Sequence, residues 1–381
     1  MAKEYAAVSK IDAQGTQTAT TEDEEATITK VEFTGLDLGY YLIDSTLGTL
    51  CSLDTTNPIV TIQEKNEAPT IEKEVQEDSD NSWGETNDAD INQTVNFQAT
   101  ITVQEGAENY ILHDTMSTGL TYTDVTSVKI GDVAVAENNY KVTAPGTCGC
   151  TFEVAFDNDY IATLDAGTKI VVAYSATLNE NAVVGLEGNP NTVKLQYGDE
   201  AQPSYTPEDK TITYTWDMNV VKYTTNKDDE VKLEGATFKL STDKAGENVL
   251  KFHALGNNLY EVCADAECTK EHVTEITTDS TGTFKIEGID AGTYYLTETA
   301  APAGYNKLAG PTTVTITGAV KGEDDTLSYT TVETKVLNNT GTKLPETGGM
   351  GTTLFYIFGC ILVLAAVVLL ITRKRMSSLE D

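Results

Sequence analysis

Along most of this chain apolar and polar positions alternate. The pattern is clearest in TVNFQATITV, TYTDVTSVKI, TFEVAFD, KIVVAYSATL and TVKLQY, which turn residues separate. A period of two marks a half-buried strand, and strands spaced this way predict an immunoglobulin-like β-sandwich over residues 68–215. WDMNVVKYT, VKLEGATFKL, GTFKIEGIDAGTYYLTETAAPAGYNKL and TVETKVLNNTG predict a second, smaller β-domain over 216–343. Residues 1–67 hold two more strand-like runs, in EATITKVEFTGLDLGYYLIDSTLGTL. That is too little chain to bury a core, so we read 1–67 as the remnant of an N-terminal domain and a linker. The opening MAKEYAAVSK has no apolar leader, so the N-terminus is expected to be incomplete.

The alternation stops at the tail. Leu354 to Ile371 is an unbroken run of 18 mostly apolar residues, followed by Arg373, Lys374 and Arg375. As a helix it covers roughly 27 Å, close to a bilayer's hydrocarbon core, with a basic cytoplasmic stop behind it. The predicted fold class is therefore all-β: tandem immunoglobulin-like β-sandwich domains followed by one C-terminal transmembrane helix over 354–371, within a terminal segment 344–381.

Charge narrows the function. The 381 residues carry 25 Lys and Arg against 59 Asp and Glu, a net charge of −34. Nucleic acid, which needs a basic face, is excluded as a partner, and a solvated extracellular surface fits. No nucleophile–base pair, Gly-rich phosphate loop or metal cluster points to an enzyme or a cofactor. His113, His253 and His272 lack ligand spacing to the cysteines, so no metal is expected. Of the six cysteines, Cys263 and Cys268 are placed to pair, Cys148 and Cys150 are too close for an easy bridge, and Cys360 lies in the apolar tail. The acidic insertion DSDNSWGETNDAD (78–90) fails the calcium-loop test at Trp83 and Ala89 and reads as a solvated loop.

Three elements in fixed order at the C-terminus (LPETG at 344–348, the apolar run, the basic tip) resemble a Gram-positive cell-wall sorting signal. The resemblance implies that a sortase reads Leu344, Pro345, Glu346, Thr347 and Gly348, and that its cysteine attacks the Thr347 carbonyl and breaks the bond to Gly348. The span is then only a transient membrane anchor. TYYLTETAAPAGY resembles the E-box of collagen-adhesin B-type domains in pilins, carried by Tyr294, Leu296, Glu298, Ala301, Pro302, Gly304 and Tyr305. With the two β-domains, these features make the chain resemble a backbone-type fimbrial subunit. At the 1–67 boundary, backbone pilins carry a motif ending in Tyr-Pro-Lys-Asn whose lysine resolves the sortase thioester. Lys65 and Asn66 keep its last two letters, with Gln63 and Glu64 in place of the Tyr and Pro.

The resemblance also implies autocatalytic Lys–Asn isopeptide crosslinks inside the domains, assisted by a buried acid. For the C-terminal domain it points to Lys222, Glu298 and Asn338. Period two puts Lys222 on the face of Val220, Glu298 on that of Tyr294 and Leu296, and Asn338 on that of Val336, with Asn339 facing away. For the middle domain it points to Lys73 in PTIEKEV, Asp114 in YILHDTMSTGL and Asn191 in NTVKLQY, with Asn189 the nearest competitor. The implied function is a structural subunit of a cell-wall pilus, with sortase, neighbouring subunits, peptidoglycan and a host surface or matrix ligand as candidate partners. The alternative is a wall-anchored monomeric adhesin or minor pilin that uses the same domains as a stalk.

Overall fold

The structure is a computed structural model and describes residues 33–37, 39–43, 49–53, 68–104, 108–200, 202–227, 229–264, 271–321, 326–340 and 350–377. Ahead of the first domain lies a two-stranded antiparallel hairpin, Gly39–Ile43 with Thr49–Leu53.

The middle domain is a sandwich of two sheets. Its principal strands are β1 (Thr70–Gln76), β2 (Thr94–Thr102), β3 (Ile111–Met116), β4 (Leu120–Ile130), β5 (Phe152–Phe156), β6 (Lys169–Leu178), β7 (Asn189–Asp199) and β8 (Asp209–Tyr214). One sheet runs β1-β2-β6-β4 and the other β5-β3-β7-β8. Alternation in the sequence becomes alternation in burial. In β2, Val95, Phe97, Ala99 and Ile101 are buried while Thr94 and Asn96 face out or sit at the margin. Apolar faces of both sheets meet in one core that includes Phe97, Leu112, Phe152, Val172, Val193 and Leu195.

The C-terminal domain uses β9 (Trp216–Asn226), β10 (Thr237–Ser241), β11 (Thr283–Ile289), β12 (Gly292–Ala300), β13 (Thr312–Ile316) and β14 (Val332–Leu337). Its first and last strands, β9 and β14, pair in parallel, with Lys222 opposite Val336. β9 also pairs with β11, and β10-β12-β13 form the facing sheet. Trp216, Met218, Val220, Phe238, Ile286, Leu296 and Val336 fill the core between them.

The acidic insertion is a solvated loop only in its first part, 78–82. It contributes two short strands, Trp83–Gly84 and Thr86–Asp88, to the edges of the middle domain's sheets. It then docks on the C-terminal domain: the Ile91 N–H donates to the Gly288 carbonyl at 2.9 Å, the Asp290 N–H to Asp90 Oδ1 at 2.7 Å, and the Trp216 indole to Asp88. Its buried Asn87 and Ala89 show why composition misled: acidic residues at a domain contact look like acidic residues in water.

The tail forms α1, Met350–Ser377, a helix of 28 residues. Its side chains are described from Ile357 to Thr372, and all of these are exposed. Among the described residues no helix is long and apolar enough to cross a membrane. The segment 354–371 expected to span a membrane lies within this helix.

Candidate functional site: two buried lysine clusters

β1 carries Lys73 inward because it shares a face with Ile71 and Val75. Its Nζ lies 2.5 Å from Asp114 Oδ2, on β3 of the facing sheet, and it also donates to the Tyr174 hydroxyl. Tyr174 comes from β6 and donates to Asp114 Oδ2 at 2.6 Å. Asn191, on β7 beside β3, donates through Nδ2 to the Tyr174 oxygen at 3.4 Å. All four side chains are buried. Phe97 stacks on Tyr174 at 5.5 Å between centroids and Phe152 meets it edge-on at 4.9 Å, so the cluster sits among aromatic rings. The Lys73 Nζ lies 5.3 Å from the Phe97 centroid.

Asn189 is buried too, but it is occupied. Its Oδ1 accepts from the Val183 N–H and its Nδ2 donates to the carbonyls of Val183 and Thr213. Asn191 Oδ1 has no hydrogen-bond partner, and neither has Asp114 Oδ1. A proton on the acid supplies a donor where two buried acceptors lack one. Burial drives the Asp114 carboxyl upward, with Lys73 opposing, and drives the Lys73 amine downward, with Asp114 opposing. Both directions favour the neutral pair.

The C-terminal cluster is more direct. Lys222 Nζ donates to Asn338 Oδ1 at 2.6 Å and lies 3.0 Å from Glu298 Oε1. Asn338 Nδ2 donates to that same Glu298 oxygen at 3.0 Å, and the Leu308 N–H donates to Oε2 at 2.7 Å. All three side chains are buried, whereas Asn339 is exposed. Asn338 is set by its own backbone, whose N–H donates to the Tyr223 carbonyl and continues the parallel β9–β14 ladder. Burial lowers the Lys222 pKa, and Glu298 opposes this. Phe238 covers the amine, its centroid 5.5 Å away.

In each domain, then, the structure brings the lysine, the acid and the asparagine into one buried cluster. Sequence reasoning missed Tyr174, because an inward tyrosine in a strand looks like any core aromatic. Lys65 and the sorting-motif residues Leu344, Pro345, Glu346, Thr347 and Gly348 lie outside the described residues.

The cysteines need one correction. Cys148 and Cys150 are disulfide-bonded, with Cα atoms 5.4 Å apart. Gly149 between them adopts φ +83°, a left-handed turn that brings the two Cβ atoms together despite the short spacing. Cys263 is also disulfide-bonded, and Cys268 lies outside the described residues.

Three family models match the chain. They are a Gram-positive pilin backbone subunit 2, Cna-B-like domain over residues 95–201, a SpaA prealbumin-like fold domain over 219–335 and an LPXTG cell wall anchor motif over 337–378. No curated protein matches. Among solved structures, the 35 kDa C-terminal fragment of the major pilin GBS80 of Streptococcus agalactiae aligns at TM-score 0.55 and 21% identity, covering 72% of this chain and 100% of that one. The full-length major pilin SpaD from Corynebacterium diphtheriae aligns at TM-score 0.53 and 20% identity, covering 84% and 86%. The full-length major pilin RrgB from Streptococcus pneumoniae aligns at 0.52 and 17%, covering 77% and 78%. At these identities the likeness is one of fold.

Proposed function

We propose that this chain, a Gram-positive backbone-type pilin by its three family matches, is the repeating structural subunit of a sortase-polymerised, cell-wall-anchored pilus. The observation that carries the structural role is the buried Lys222–Glu298–Asn338 cluster, which joins the first strand of a domain to the end of its last.

The geometry supports a one-time amide exchange. Lys222 Nζ, neutral because it is dry, attacks the Asn338 side-chain carbonyl carbon, whose oxygen already contacts that nitrogen. Glu298 Oε1 lies 3.0 Å from both the attacking nitrogen and the departing Nδ2. It takes a proton from the first and delivers it to the second, so a C–N bond forms, a C–N bond breaks and ammonia leaves. The fold itself supplies the proximity. In the middle domain Lys73, Asp114 and Asn191 play the same parts, with the Tyr174 hydroxyl between amine, acid and amide. No turnover follows, so the chain modifies itself once and is otherwise a substrate.

Assembly uses segments outside the described residues. Sortase cleaves between Thr347 and Gly348, and Lys65 of the next subunit resolves the thioester; the last subunit passes to peptidoglycan. Co-expression with a cognate pilin-polymerising sortase should give a ladder of covalent multimers that Lys65→Ala erases. A monomer in the wild-type chain favours the stalk of a monomeric adhesin instead.

A further inference from the structure

His113 and Asp114 are neighbours on β3 and point to opposite faces. Asp114 enters the core; His113 faces outward, yet it is buried. What covers it is the turn 144–150 together with Glu153, its cross-strand partner on β5. His113 Nδ1 lies 3.4 Å from Glu153 Oε1 and 3.7 Å from Cys150 Sγ, and Cys150 Sγ lies 3.5 Å from Glu153 Oε1. With Cys148 Sγ, the four ligand-type atoms all lie within 4.8 Å of one another. Gly146 makes the close approach possible, since a Cβ there would meet Cys150 Sγ at 2.4 Å.

The imidazole is oriented from behind. Its Nε2 faces Gln196 Oε1 at 3.2 Å, an oxygen that also accepts the Tyr205 hydroxyl at 3.1 Å. An amide oxygen only accepts, so Nε2 carries a hydrogen, and in the neutral ring Nδ1 presents a lone pair. That lone pair faces a sulfur and a carboxylate that also accepts from Thr147 and the Cys148 N–H, and acceptors converging on one point are satisfied by a shared cation, a proton on the ring or a metal ion. Fixing the tautomer through a hydrogen bond to the other ring nitrogen is the usual second layer of a metal site.

We propose that, once the Cys148–Cys150 bond is reduced, Cys148, Cys150, His113 and Glu153 bind one zinc-class divalent cation in a four-coordinate site. The distances suit it. Ligand bonds of about 2.0–2.3 Å in a tetrahedron place neighbouring ligand atoms roughly 3.3–3.8 Å apart, which brackets the three separations among Nδ1, Oε1 and the Cys150 sulfur. Only the Cys148 sulfur has to move. It sits on the exposed turn, and nothing lies within 4 Å of where a Gly149 side chain would be. Reduction gives the disulfide two electrons and two protons; the cation then displaces both thiol protons and binds two thiolates. Oxidised and metal-bound forms therefore exclude each other.

The test uses the full chain and cobalt(II), whose four-coordinate thiolate complexes absorb strongly in the visible. A water-soluble phosphine reduces the disulfide, becoming the phosphine oxide with oxygen from water, and is removed before titration. The expected result is a one-equivalent spectrum that zinc bleaches, absent from the oxidised chain and from Cys148→Ser, but retained in Cys263→Ser. Cys148 is exposed, so its replacement leaves the core intact. Gln196→Leu should weaken binding by roughly tenfold to a hundredfold. No visible spectrum in the reduced chain, or one that survives Cys148→Ser, overturns the proposal.

Discussion

The two buried clusters use the same three functional groups and hold them differently. In the C-terminal domain amine and amide touch, and one glutamate oxygen faces both nitrogens. In the middle domain the shorter aspartate sits against the amine, and a tyrosine hydroxyl stands between that pair and Asn191. The difference follows from topology. Lys222 and Asn338 lie on paired strands of one sheet, so backbone register sets their separation. Lys73 lies in one sheet and Asn191 in the other, so the amine must cross the core, and Tyr174 fills the gap. A site made by register needs three residues; a site made across a sandwich needs a fourth.

The largest test of this comparison removes the nucleophiles. Each domain should weigh one ammonia less than its sequence, and Lys222→Ala or Lys73→Ala should abolish the loss in its own domain only. Losing a crosslink that closes a loop of this size should cost about 5 kcal/mol by the chain-entropy argument for disulfides, lowering Tm by roughly 20 °C. Calorimetry on each variant checks this, and an unchanged Tm breaks the account for that domain. Next comes Tyr174→Phe. It should slow crosslinking of the middle domain by roughly tenfold to a hundredfold and leave the C-terminal domain at its normal rate; the time course of mass loss reads both. Smaller again is Leu308→Pro, which removes the N–H that orients Glu298 and should slow only the C-terminal reaction, by about tenfold at most.

The smallest effect concerns the contact between the domains. Burial raises Asp88 and Asp90 to about 6; burial, then the neighbouring acids, raise Asp290 to about 9. A carboxyl raised in the folded state favours its acid form there. Its stabilising contribution is complete below about pH 4, the ordinary carboxylate value, and is lost as pH climbs through those raised values. Protection of the Ile91 and Asp290 amides, corrected for intrinsic exchange, should therefore fall between about pH 5 and about pH 9 while that of the two cores holds. Constant protection would mean that the acids are not buried together.

Strand faces were readable in the sequence because period two is a local property. The burial of Lys222, Glu298 and Asn338 follows from their apolar neighbours two residues away. Period two does not separate Asn191 from Asn189, since both face inward; the hydrogen bonds do, because Asn189 is held by Val183 and Thr213 while Asn191 reaches Tyr174. Tyr174 and the approach of His113 to Cys150 were hidden for another reason: each depends on which strands become neighbours. The Cys148–Cys150 bond is not legible from spacing alone, because it depends on the left-handed turn at Gly149.

If the proposed crosslinks form, the positions of the two asparagines also decide how the modules answer tension. Asn338 follows the last residue of β14, so with the proposed Lys222–Asn338 bond formed a pull entering at β9 would cross at Lys222 and leave at once, and Tyr223 to Leu337 would carry no load. Asn191 sits near the start of β7, with the rest of β7 and all of β8 still downstream. Force leaving Asn191 must run through Thr192–Tyr214, held to the domain by the β7–β8 pairing and other non-covalent contacts. On the proposed crosslinks, one module would act as a rigid link, while the other would keep a short reserve of slack that extends under a sudden tug and rewinds afterwards.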